Sequence, residues 1–100
     1  MNFQNLKREY IKVARRVKGI VHSIDPDAKV YVFGSVVRGE ATAMSDIDIL
    51  VVTKMIERKY EMMVKVYKAV EEPVELHIVT EDLLERWYKR FIPVEELIEV

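Results

Sequence analysis

From Phe3 the apolar positions Leu6, Tyr10, Val13, Val17 and Ile20 recur at steps of three and four residues, with Lys7, Arg8, Lys12, Arg15 and Arg16 largely between them. That spacing predicts an amphipathic helix ending near Gly19 to His22. Asp25-Pro26-Asp27 is turn chemistry. Val30-Tyr31-Val32-Phe33 is a β-branched and aromatic run suited to a strand, and Gly34 closes it. Ser35 to Arg38 then predicts a short helix ended by Gly39, and Ala41 to Ser45 a small polar loop.

Ile47 to Thr53 predicts a second strand. Met55 to Val70 shows helical spacing through Ile56, Tyr60, Met63, Val64, Tyr67 and Val70, with Glu57, Arg58, Lys59, Glu61 and Lys65 on the other side, until Glu71-Glu72-Pro73 breaks it. Val74 to Val79 alternates apolar and polar, which is a strand with Glu75 and His77 on one face. Thr80 supplies a capping hydroxyl, and Glu81 and Asp82 the first-turn acids, of a last helix carrying Leu83, Leu84, Trp87, Tyr88 and Phe91. Pro93 interrupts it before an acidic, apolar tail from Val94 to Val100. The order implies an α/β (α+β) fold: one small mixed sheet of three or four strands packed with helices. Strands one and two are expected antiparallel, and strands two and three parallel through the helical crossover.

Size and composition sharpen this picture. A chain of 100 residues, half of them hydrophobic and 33% charged, with a net charge of -1, predicts one small globular domain over 1–100 and argues against a strongly basic nucleic-acid binder. No apolar run approaches the ~20 residues that span a bilayer, and the N-terminus has no signal-peptide core, so the expected location is the cytoplasm. With no cysteine, any metal has to be held by oxygen or imidazole, which narrows the choice toward Mg²⁺ or Mn²⁺.

The candidate chemistry lies between Gly34 and Asp48. On a strand Asp46 and Asp48 share a face, with Ile47, Ile49 and Val51 on the other, and their α-carbons stand roughly 6.5–7 Å apart. Carboxylates so placed can lean onto one cation, or onto two spaced ~3.5–4 Å. An isolated Asp-X-Asp also fits a strand that merely starts at one acid and exposes the other. Gly34 permits close backbone approach, Ser35 offers an N–H and a hydroxyl, and Arg38 one turn on adds a cationic fork, which together suit a phosphate.

These residues resemble the minimal nucleotidyltransferases of the DNA polymerase beta superfamily, whose signature is Gly-Ser, ten intervening residues, then Asp-X-Asp, often with Arg-Gly in the gap. Gly34-Ser35, Val36 to Ser45, Arg38-Gly39 and Asp46-Ile47-Asp48 match it, and the order of elements is also similar. The resemblance implies that Asp46 and Asp48 bind Mg²⁺ and that Gly34, Ser35 and Arg38 hold the phosphates of a nucleoside triphosphate, with ATP the expected donor. It also implies a third, strand-borne carboxylate as metal ligand and catalytic group, for which Glu75 is the candidate, although Asp is commoner there. Glu75 equally fits a surface acid on an edge strand, and His77 a half-buried histidine with its hydrogen bonds met.

Related minimal members are often encoded beside a helical HEPN-domain protein, in some cases as an antitoxin that adds AMP to it. The resemblance therefore implies such a partner here, with a homodimer through the last helix as another way to complete the pocket. A rival reading is a nucleotide-binding or assembly module without turnover. Trp87, Tyr88 and Phe91, with Lys89 and Arg90 between them, read as core residues and a partner-facing patch rather than a base-stacking strip. No motif specifies the acceptor, which stays open among protein, RNA and a small molecule.

Overall fold

The computed structural model describes residues 3–40 and 46–100, without the side chains of residues 3–8; the loop expected over 41–45 and the apolar position Leu6 lie outside that description. Helix α1 (Phe3–His22) leads into strand β1 (Lys29–Phe33), the four-residue helix α2 (Ser35–Arg38) and strand β2 (Ile47–Val52). A 3₁₀ turn (Ile56–Arg58) enters helix α3 (Lys59–Ala69), which returns to strand β3 (Val74–Val79). Helix α4, the run 81–91, is followed by a 3₁₀ turn (Val94–Glu96) and strand β4 (Ile98–Glu99).

The four strands form one sheet in the order β3-β2-β1-β4. β1 pairs antiparallel with β2 and β4, while β2 and β3 are parallel, joined by α3 as a crossover. The mixed sheet is therefore as expected. Its fourth strand is recruited from the tail, where Val32 pairs with Ile98 and Tyr31 with Glu99.

Alternation along the strands explains the two-layered core. Val30 and Val32 of β1, Ile47, Ile49 and Val51 of β2, and Leu76 and Ile78 of β3 bury one face against Val13, Ala14, Val17 and Val21 of α1 and Met62 and Val66 of α3. Leu50, Val52 and Val79 bury the opposite face against Leu84 of α4, with Tyr31, Phe33, Tyr88 and Leu97 packed around them. A central strand covered on both faces reads as a continuous apolar run, and in β2 the one interruption is Asp48.

Two expectations need correction. Tyr60, Val64 and Tyr67 face outward, and α3 instead buries Met62 and Val66. Apolar residues occupy both faces of this helix, so three- and four-residue spacing alone does not select the inward one. Tyr67 still has a structural use, because its hydroxyl accepts the Leu76 amide at 3.1 Å along the outer edge of the sheet. In α4 the core contacts come from Leu84 and Tyr88, whereas Trp87 and Phe91 are exposed. The middle of α4, Leu84–Tyr88, is π-wound, and the Lys89 amide reaches back to the Leu84 carbonyl.

At the other end of the sheet a buried polar joint fixes the exits of α1 and β2. Thr53 donates its hydroxyl to Asp25 Oδ2 at 2.5 Å and accepts the Met55 amide at 2.9 Å, while Asp25 Oδ1 accepts the Asp27 amide at 3.0 Å. Asp25 and Thr53 are 5% and 3% exposed, so water cannot replace a lost partner. Thr53→Val keeps the volume but removes the donor, and we expect a loss of ~1–3 kcal/mol. A lowered denaturation midpoint with unchanged slope checks this; an unchanged midpoint contradicts it.

Candidate active site

Asp48 sits at the second position of β2, where both neighbouring strands bring a residue level with it. Parallel register places Glu75 of β3 beside it, and antiparallel register places Phe33 of β1 on its other side. The chain then turns sharply at Gly34, with φ 83° and ψ -151°, a backbone region that residues with a Cβ rarely enter. A Cβ at Gly34 would also overlap Asp48 Oδ2. Glycine is thus required twice: for the turn, and for the room the carboxylate occupies.

Immediately after the turn, Ser35 begins α2, Val36 is buried in the main core, and Gly39 ends the helix in the left-handed region at φ 76°. The amides of Val37 and Arg38 both donate to the Gly34 carbonyl, at 3.1 and 3.2 Å, so the turn is held by its own backbone. Arg38 is exposed, and its Nε donates to Glu40 Oε2 at 3.2 Å. It lies near enough to favour the charged form of Asp48.

The electrostatics at Asp48 are unusual for an aspartate. Its pKa is pushed up from 3.8 to about 6, first by burial, then by the hydrogen bond its protonated carboxyl gives to Glu75 and by the charge of Glu75, then by the charge of Asp46, with Arg38 opposing. Two hydrogen-bonded carboxyl groups require a proton between them. A cation satisfies the same pair without one.

Asp48, Glu75 and His77 bring one ligand atom each within 4.8 Å of one another. Oxygen and imidazole donors of this kind fit a divalent cation, as the absence of cysteine requires. Asp46, just ahead of β2, is exposed and acts on Asp48 through its charge, but it is not part of that close group. His77 is half-buried, as expected: its Nε2 lies 3.7 Å from Glu75 Oε1 and its Nδ1 3.4 Å from Tyr88 Oη. Its ring packs beside Phe33 and Tyr88, with centroids 5.4 and 5.9 Å away. Burial, and then the charge of Glu75, raise the Tyr88 pKa, keeping the phenol protonated.

Sequence reasoning missed Phe33 and Tyr88 as walls of this site. Phe33 carried a usable signal, since it precedes Gly34 and shares a face with Tyr31. Tyr88 carried none, because the π-wound segment sets its direction.

With this geometry established, comparison with known proteins is informative. A nucleotidyltransferase domain profile matches residues 14–100, and the chain belongs to that family. A candidate nucleotidyltransferase from Sulfolobus solfataricus, known from its crystal structure, is 25% identical with a TM-score of 0.71, over 99% of this chain and 86% of its own. A second candidate nucleotidyltransferase of known crystal structure is 32% identical with a TM-score of 0.69, over 86% of this chain and 95% of its own. Curated proteins give no match. The fold is that of the nucleotidyltransferases, and the family acts as transferases on nucleoside triphosphates.

The raised pKa has a consequence for stability. Asp48 keeps its proton in the folded chain to about pH 6, against 3.8 for an ordinary aspartate, so its stabilising contribution is complete below about pH 4 and is lost as pH rises through 6. Asp48→Asn stays neutral and still bonds Glu75. In chelator, we expect it to exceed the parent by on the order of 1 kcal/mol at pH 7.5, after allowing for solvent around the half-buried pair, with the gap closing by pH 4.5. Thermal unfolding across that range checks this, and a pH-independent gap contradicts it.

Proposed function

We propose that the chain folds as one nucleotidyltransferase domain that transfers AMP from ATP to an acceptor hydroxyl, using Mg²⁺ or Mn²⁺. The observation that carries the reading is the register that sets Asp48 beside Glu75 at the Gly34 turn. Membership of the nucleotidyltransferase family supports it.

In this proposal Asp46, Asp48 and Glu75 hold the metal, while Gly34, Ser35 and Arg38 hold the triphosphate. The bound cation supplies charge neutralisation for the triphosphate and a counter-charge for the leaving group. Arg38 exchanges its exposed Glu40 partner for phosphate oxygens, a stronger and bidentate acceptor. Glu75 takes the proton of the acceptor hydroxyl, whose oxygen bonds the α-phosphorus in line as the bond to the bridging oxygen breaks. Pyrophosphate leaves with that electron pair.

In this proposal a second surface completes the pocket. We propose a HEPN-domain protein as the partner and AMP acceptor, the chain acting as its antitoxin in the cytoplasm. The exposed Leu83, Trp87 and Phe91 of α4 give such a partner an apolar strip to cover.

Incubation with labelled ATP, Mg²⁺ and the protein encoded next to this one should yield pyrophosphate and an AMP-modified partner. Asp46→Asn and Asp48→Asn should each lower the rate at least ~100-fold, and Glu75→Gln by a similar factor. ATP binding without pyrophosphate in any acceptor screen would instead establish a non-catalytic nucleotide-binding module.

A further inference from the structure

We infer that His77 is a ligand of the divalent cation and makes this site select Mn²⁺ over Mg²⁺; the inference rests on the metal-dependent reading above and narrows it. The argument begins with β3, where alternation puts His77 on the same face as Glu75, two residues further along. Its Nε2 faces Glu75 Oε1 at 3.7 Å, and it belongs with Asp48 and Glu75 to the group whose ligand atoms lie within 4.8 Å. Opposite ligands on an ion with bonds of ~2.1 Å stand about 4.2 Å apart, so side-chain adjustments of under about an ångström close this group on one cation.

The surroundings of the ring fit that role. A metal-ligating imidazole commonly donates its other N–H to a fixed acceptor, which selects the tautomer. Tyr88 Oη, 3.4 Å from Nδ1, stands where that acceptor is needed, and the remaining lone pair of Nε2 then faces Glu75. The rings of Phe33 and Tyr88 both pack near the imidazole, at centroid distances of 5.4 and 5.9 Å. Tyr88 is brought there by the π-wound middle of α4, whose Leu84 anchors the segment on Leu50, Val52 and Val79.

Donor chemistry then decides between the ions. Mg²⁺ takes oxygen ligands and keeps most of its water, whereas Mn²⁺ accepts carboxylate and imidazole together. With the proposed carboxylates of Asp46, Asp48 and Glu75 in place, an added imidazole gains little with Mg²⁺ and more with Mn²⁺.

Pulsed electron paramagnetic resonance of Mn²⁺ bound to the full chain, without nucleotide, tests this. The expected spectrum shows coupling to an imidazole nitrogen that His77→Gln abolishes. The same substitution should weaken Mn²⁺ binding by about tenfold or more, while Mg²⁺ affinity, measured by displacement of Mn²⁺, changes less than about twofold. Mn²⁺ bound with no nitrogen coupling, yet released by Asp48→Asn, would overturn the role of His77 and leave the proposed oxygen-ligated site standing. Failure of the parent chain to bind Mn²⁺ or Mg²⁺ at all would overturn both. The nitrogen coupling is read on the parent protein, so the result does not depend on any variant folding.

Discussion

The half-burial of Asp48 level with Glu75 is the constraint on which the site depends. Two carboxylates held side by side on adjacent strands favour separation, and the apolar cover over β2 makes a charge on Asp48 costlier still. The fold denies them that separation. Parallel pairing of β2 with β3 fixes the register, α3 carries the chain across to make the parallel pairing possible, and β1 closes the other side of Asp48 with Phe33 and the Gly34 turn. Protonation of Asp48 relieves the conflict, and so does positive charge placed beside it, as Arg38 shows.

Local sequence made much of this legible. The two-residue period of a strand tells which residues share a face, so Asp48 in β2 and the pair Glu75 and His77 in β3 could be assigned to faces without coordinates. The spacing from Gly34-Ser35 to Asp46-Ile47-Asp48 located the turn beside the acids. Register was not legible: that Glu75 comes level with Asp48 is a relation between two strands, set by how α3 packs on α1 and the sheet. The same gap explains α3, where residues on both faces are apolar, and β4, whose two residues are extended only because the edge of β1 is free to accept them.

The C-terminal third joins fold and site more closely than its sequence suggests. Leu84 buries one end of α4 in the smaller core, and the π-wound segment that follows directs Tyr88 to His77 while leaving Trp87 and Phe91 stacked on each other outside, with centroids 5.2 Å apart. One helix thus divides its aromatic residues between the wall of the site and the outer surface. No described helix is long and apolar enough to cross a membrane, so the exposed strip is not a membrane span.

The central claim is that the proton Asp48 keeps beside Glu75 occupies the place of a divalent cation. Calorimetric titration of Mg²⁺ in buffers of different ionisation enthalpy measures the protons released per ion bound. With the Asp48 pKa at about 6, close to one proton should leave at about pH 5 and almost none at about pH 8. Mg²⁺ binding that releases no proton at the lower pH would show that the ion binds elsewhere, and would contradict the account.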